Sequence, residues 1–159
     1  MAKFTGSSMK LLKALKYHDS KNIASFLAKM LWQHLIIPPA DLISFIPLHR
    51  NKLRLRGYNQ GQEIALELGR ILQIPVKNLL EKKENTKAQA QIKNQQERLQ
   101  RMQGLFQVRA KYKNLIKGKR IILIDDVLTT GATLNAASQT LKEAHAKATI
   151  GLIVASKME

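Results

Sequence analysis

The sequence predicts an α/β domain with a mainly parallel central sheet flanked by helices. Three observations carry this expectation. Short apolar runs at residues 42–46 (LISFI) and 121–124 (IILI) lack any polar alternation, as strands covered on both faces do. Segments of helical period separate them, and strands alternating with helices favour parallel pairing through right-handed crossovers. The length of 159 residues suits a single core.

Residues 1–8 are small and polar, without a period, and read as a flexible terminus ahead of one domain over residues 9–159. Residues 9–17 have the length of two helical turns. After Asp19 or Ser20 as a cap, Ile23, Phe26, Leu27, Met30 and Leu31 recur at helical spacing and predict an amphipathic helix packed on the core. Pro38 and Pro39 stop the chain from continuing as helix beyond it. The strand 42–46 leads into a loop at residues 49–60 that carries Arg50, Lys52, Arg54 and Arg56 and no acid. Residues 60–72 place Ile64, Leu68, Ile71 and Leu72 on one helical face and stop before Pro75. Short strands are expected at 79–82 and 105–108. Between them, residues 84–103 are polar and short of apolar anchors, which predicts a mobile loop. Lys117-Gly118 marks a turn into a central strand at 120–124, then a helix over 131–145 and a last strand over 149–155.

Composition narrows the function classes. Apolar residues are 45% and charged residues 24%, an ordinary globular balance that excludes a mainly disordered chain. Twenty-seven Lys and Arg against eleven Asp and Glu leave a net charge of +16, a field that attracts phosphates or anionic polymers. Twelve of those cations fall in residues 82–120, against Glu84 and Glu97 alone. No apolar run reaches the ~18 residues of a membrane span. Lys10, Lys13 and Lys16 interrupt the first helix candidate and argue against a secretory signal, so a cytoplasmic protein is expected. The absence of cysteine removes disulfides, cysteine zinc sites and thiol nucleophiles together. The four histidines have no metal-ligand spacing.

One constellation stands out. Asp125 and Asp126 sit side by side after the IILI strand, where mutual repulsion is costly unless something binds. Thr129, Thr130, Gly131, Ala132 and Thr133 come next and open a helix. Hydroxyls, backbone N–H groups and a helix N-terminus then converge, which suits a phosphate, while the acids suit sugar hydroxyls or a hydrated Mg²⁺. Three blander accounts compete. The acids resemble the second half of an ATPase site, but no G-x-x-x-x-G-K-[ST] occurs. They also resemble an acidic receiver pocket, which usually builds on an earlier strand. Finally, Thr and Asp are simple helix caps, although a cap needs one such residue rather than five.

Residues 121–133, IILIDDVLTTGAT, resemble the signature of type I phosphoribosyltransferases at every position. That resemblance implies a ligand, 5-phosphoribosyl-1-pyrophosphate, accompanied by Mg²⁺. Asp125 and Asp126 would hold the ribose hydroxyls, and Thr129 to Thr133 the 5′-phosphate, with no direct side-chain metal cluster. It also implies a pyrophosphate loop after the first sheet strand, at Leu48, His49 and Arg50. Arg54 and Arg56 beside it either serve an anion or simply solvate the surface.

A wider resemblance covers residues 9–156. FIPLHRNKLRLRGYNQ, then Asn85-Thr86 and Gln89, Glu97-Arg98 and Gly104-Leu105-Phe106, are similar to the ComF family of competence proteins. Many of its members begin with a cysteine-rich zinc ribbon, which these 159 residues lack. The resemblance implies a role in DNA uptake during natural transformation, handling single-stranded DNA beside other uptake proteins. Lys93, Arg98 and Arg101 join Arg54 and Arg56 as candidate nucleic-acid or loop cations. Few aromatics are available to stack a base, so weak, salt-sensitive binding is expected. Tyr58 and Phe106 are the obvious stacking candidates, and core packing is the simpler expectation for both. Two alternatives stay open: phosphoribosyl transfer to an unidentified acceptor in nucleotide salvage, or a non-catalytic adaptor on the same fold.

Overall fold

The computed structural model describes residues 20–83, 104–128 and 131–156. The expectations for residues 1–8, 9–17 and 84–103 and for Thr129, Thr130, Lys93, Arg98 and Arg101 lie outside the described residues. The elements are α1 (Ser20–His34), β1 (Leu42–Phe45), α2 (Arg50–Arg56), α3 (Gln60–Leu72), β2 (Leu80–Lys82), β3 (Phe106–Val108), a 3-10 turn (Ala110–Tyr112), α4 (Lys113–Ile116), β4 (Arg120–Leu128), α5 (Ala132–Glu143) and β5 (Ala148–Ser156).

The main sheet has the order β1-β4-β5, all parallel, with Leu42 opposite Ile121 and Arg120 opposite Ala148. A stub of a fourth strand flanks β1: Val76 bridges Ile43 in parallel, with Ile43 N–H donating to Pro75 O at 3.0 Å and Lys77 N–H to Ile43 O at 2.9 Å. The central strand separates two cores, as its unbroken apolar run requires. Ile122 and Ile124 pack with Ile43, Phe45 and the inner faces of α1 and α3. Ile121 and Leu123 pack with Leu42, Leu80, Phe106 and α5. The expected parallel sheet flanked by helices is what forms.

Asp41 pins the entry of the sheet. Its Oδ2 accepts from the backbone N–H of Arg120 at 2.7 Å, which holds its carboxyl below the usual carboxylate range, and the Arg120 side chain lies 3.6 Å away. β2 and β3 form a separate antiparallel ribbon, Leu80 opposite Val108. Buried Ser44 Oγ accepts from Leu79 N–H at 3.3 Å and ties that ribbon to β1. The residues expected as strands at 79–82 and 105–108 are therefore paired, but with each other rather than in the main sheet.

Three expectations need correction. The basic segment after β1 is a helix, α2, rather than a loop. His49 caps it, accepting from Asn51 N–H through Nδ1 at 3.3 Å, and Gly57 ends it in the left-handed region at φ 74°. That local capping supplies what the charge-rich sequence hid. Along α1, the buried stripe is Ala24, Leu27, Ala28 and Leu31, while Phe26 is 50% exposed. The alanines let α1 lie close to its neighbours, so the seam runs through small residues and turns Phe26 out. Last, β4 does not stop at Ile124. It runs through both acids, with Asp125 opposite Ile153 and Val127 opposite Ala155, because β5 continues alongside and supplies partners.

Candidate functional site

The carboxyl ends of β1 and β4 open on the same side, where α/β sheets bind ligands. Asp125 is half-buried in β4, and its Oδ1 accepts the backbone N–H of Asp126 at 3.0 Å. Burial and then the neighbouring Asp126 charge push the Asp125 carboxyl up to about 7, and the charge of Lys82 on β2 partly opposes them. A carboxyl kept out of water beside a second acid accepts a proton readily, or hydrogen bonds from a hydroxyl-bearing ligand.

Gly131 then starts α5 in the left-handed region at φ 74°, where a side chain is strained. It has no side chain with which to cap the helix, and its carbonyl accepts Asn135 N–H at 2.9 Å. Ala132 and Thr133, both half-buried, form the first turn, at the positive end of the helix dipole. The simple-cap account therefore has no support at this residue: the helix begins on a glycine, which has no side chain to cap with. Thr129 and Thr130 belong to the same corner by sequence but lie outside the described residues.

A cleft of about 980 Å³ opens beside this corner, between the end of β1 and the β2–β3 ribbon. Leu48 and His49 line one wall, Asn59 of α3 another, and Lys82, Lys83 and Arg109 the ribbon side. Its rim is built by buried hydrogen bonds. Asn59 Nδ2 donates to Ile46 O at 3.0 Å, and Ile46 N–H donates to Ile124 O at 2.9 Å. That chain fixes the exit of β1 against the residue preceding Asp125. The carboxylates themselves do not line the cleft. Lys82 links the two, lining the cleft while acting electrostatically on Asp125.

Of the expected site residues, Leu48 and His49 meet at the cleft, and Asp125, Asp126, Gly131, Ala132 and Thr133 meet at the adjoining corner. Arg50 begins α2 next to His49, whose own ring is occupied in capping that helix. Arg54 is exposed on α2, and Arg56 closes it. Phe106 is buried at 2% exposure under Lys82 Nζ, 5.8 Å from the ring centroid, so it is core and not a stacking platform. Tyr58 is half-buried outside the cleft lining.

Sequence reasoning missed Asn59, Lys82, Lys83 and Arg109. Asn before a periodic run is a cap signal that could have found Asn59, whose Oδ1 accepts Gln62 N–H at 3.4 Å. Nothing in the sequence marks the three cations, because only the ribbon brings them to β1. Arg109 is committed within that ribbon: Nε donates to Leu80 O at 3.4 Å, and Glu81 lies 3.9 Å from its guanidinium. Among the described residues no three acids, histidines or cysteines cluster as a metal site.

A parallel sheet with an acid pair on its central strand and a glycine-started helix after it is the type I phosphoribosyltransferase fold. The family model for the phosphoribosyl transferase domain matches residues 56–158, and the chain belongs to that family. Its curated relatives include Competence protein F of Haemophilus influenzae, 30% identical over 142 residues, covering 84% of this chain and 61% of the relative. Competence protein ComFC of Streptococcus pneumoniae is 35% identical over 102 residues, or 64% of this chain and 42% of that protein. The chain thus resembles the ComF proteins, as its sequence motifs imply, and spans between 42% and 61% of these relatives' length. Among solved structures, the glutamine phosphoribosylpyrophosphate amidotransferase from B. subtilis, complexed with ADP and GMP, superposes with a TM-score of 0.63. At 21% identity, over 92% of this chain and 30% of that one, the likeness is one of fold.

Proposed function

We propose that this domain binds 5-phosphoribosyl-1-pyrophosphate and serves, in the cytoplasm, the DNA uptake that its resemblance to competence proteins implies. The half-buried Asp125–Asp126 pair directly before a helix that starts on Gly131 carries the proposal. Carboxylates kept from bulk water favour the hydroxyl pair of a ribose, and the positive end of the α5 dipole favours its 5′-phosphate. Thr129, Thr130, Gly131, Ala132 and Thr133 form that phosphate loop. The pyrophosphate arm extends toward Leu48, His49 and Arg50. Mg²⁺ would be carried by the diphosphate, with Asp125 and Asp126 as the carboxylates offered to it. When bound it would neutralise diphosphate charge.

Titration calorimetry with the ligand and Mg²⁺ tests this directly. Saturable heat is expected from the unmodified protein and its loss from Asp125→Ala. No saturable heat in the unmodified protein overturns the proposal.

A second reading is phosphoribosyl transfer, favoured by the cleft. At about 980 Å³ it exceeds the needs of a diphosphate and falls in the range that encloses whole small-molecule ligands. In such a transfer the bond from the sugar to the diphosphate breaks as an acceptor bonds to the same carbon, and positioning plus charge stabilisation do the catalysis. Release of pyrophosphate on adding candidate acceptors distinguishes transfer from binding alone.

A further inference from the structure

The two ends of the parallel sheet differ in their acids. The acid pair lies toward the carboxyl end, among the cations of α2 and of the ribbon, and the amino end carries lysines with few acids. There the loops leading into β4 and β5 are sewn together. Gly118 N–H donates to His145 O at 2.9 Å, Lys147 N–H to Lys119 O at 2.9 Å, and Lys119 N–H to Ile116 O at 3.0 Å. Gly118 and His145 both take left-handed backbone, at φ 71° and φ 64°. A left-handed non-glycine costs on the order of 1 kcal/mol or more and persists where surrounding bonds hold it.

The result is a face on which Lys111, Lys113, Lys117, Lys119, Lys142 and Lys147 are all exposed. A shallow pocket of about 470 Å³ joins Lys113, Lys117 and His145 to Lys83 of the ribbon. Among the described residues two acids stand at this end. Asp41 is paired with Arg120, and Glu143 accepts from Gln139 at 3.2 Å. The dipole of α5 accounts for a cation in its last turn, Lys142. It does not account for Lys111, Lys113, Lys117 or Lys119, which belong to the 3-10 turn, α4 and the turn after it. Like charges gathered on one face repel one another until a polyanion covers them.

We propose that this amino-terminal face of the sheet binds the phosphodiester backbone of nucleic acid, independently of the sugar-phosphate corner. The six exposed cations are lysines, point charges suited to phosphates rather than to planar bidentate recognition. Within the lysine-bearing segments, residues 110–119 and 142–147, the one aromatic, Tyr112, is half-buried under Lys111, and Leu115 is the one large exposed apolar residue; Trp32 and Ile36 are exposed on the segment that leads into β1. That composition favours a sequence-independent backbone contact over a protein interface, which wants aromatic or arginine anchors, and over a membrane, which wants an apolar wedge. From Arg120 to Asp126 along β4, a rise of ~3.3 Å per residue separates the two ends by about 20 Å. Nucleic acid held by the lysines at this end leaves the sugar-phosphate corner open to its ligand, and Lys83, which lines both the pocket and the cleft, is the one cation the two would share. The inference rests on the DNA-handling part of the proposed function and not on the ligand site.

Fluorescence anisotropy with a labelled oligothymidylate and with a duplex of equal length tests it on the full chain. Paired Lys113→Glu and Lys117→Glu should weaken binding at least about tenfold and make its salt dependence shallower by roughly 1.5 for the single strand. Lys29→Glu with Lys77→Glu, the same charge change elsewhere on the surface, should cost much less. Saturating phosphoribosyl pyrophosphate with Mg²⁺ should leave the oligonucleotide affinity within about twofold. Equal losses from both pairs of substitutions, or displacement of the oligonucleotide by the ligand, overturn the proposal. So does binding to phosphatidylglycerol vesicles that Lys113→Glu and Lys117→Glu abolish while the oligonucleotide still binds. Retained ligand heat in the Lys113 and Lys117 variant reports an intact fold and separates failure of this face from failure of the ligand site.

Discussion

Asp125 ties stability and binding to pH in opposite directions. Its carboxyl titrates near 7 in the folded protein against an ordinary value of 3.8, so the folded chain holds a proton that the unfolded chain has released. The contribution of this residue to stability is full at acid pH and is lost as pH rises through 7, with a slope of at most about 1.4 kcal/mol per pH unit. Asp125→Asn should flatten that part of the stability profile and raise the thermal midpoint above that of the unmodified protein at pH 8. Thermal unfolding between pH 5 and 8 measures both. Ligand affinity should run the other way, strengthening from pH 6 to 8 as the carboxylate that accepts sugar hydroxyls becomes ionised. At this scale the sequence was informative because adjacency itself is the signal. Two neighbouring acids in a chain with eleven are legible without a fold. What they do to each other is not, since the raised titration comes first from burial.

Among elements, the join between β1, α3 and β4 matters most to the cleft. Asn59 caps α3 and at the same time holds Ile46 O from a buried position. Asn59→Ala should cost about 2–3 kcal/mol, a lost cap together with a buried carbonyl left unpaired. Denaturant unfolding checks the stability, and the ligand affinity should fall with it because the rim of the cleft loses its anchor. The second sensitive join is between α3 and the strand stub at Val76. A side chain at buried Gly69 would overlap the Ile74 carbonyl and the Val76 side chain, so Gly69→Ala should destabilise by about 1–3 kcal/mol. The elements themselves were mostly legible. α3 runs over residues 60–72 as its period predicts. The failures were α2, whose cations masked a capped helix, and the seam of α1, where alanines rather than Phe26 face the core. Periodicity counts large apolar residues first, whereas close packing selects by shape.

Among the described residues, cations stand at both ends of the sheet and the acid pair at its carboxyl end alone. The net charge of +16 gives a sign and a magnitude but no direction. Parallel pairing supplies the direction. It places every strand's carboxyl end on the side of the acid pair and every loop entering β4 and β5 on the lysine side. Raising salt should therefore weaken oligonucleotide binding far more than the thermal midpoint, and a midpoint that fell as steeply would mean that the lysines support the fold instead. By itself the sequence determined the α/β class, the central strand, the acid pair ahead of a helix and the family, because apolar runs, helical period and a contiguous motif are local patterns. Only the tertiary structure decided that β4 continues through its acids, that a separate ribbon brings Lys82 to face Asp125, and that the lysines gather at the other end of the sheet. Each of these depends on which segments pair across long stretches of chain, and pairing is settled by burial and by backbone hydrogen bonding.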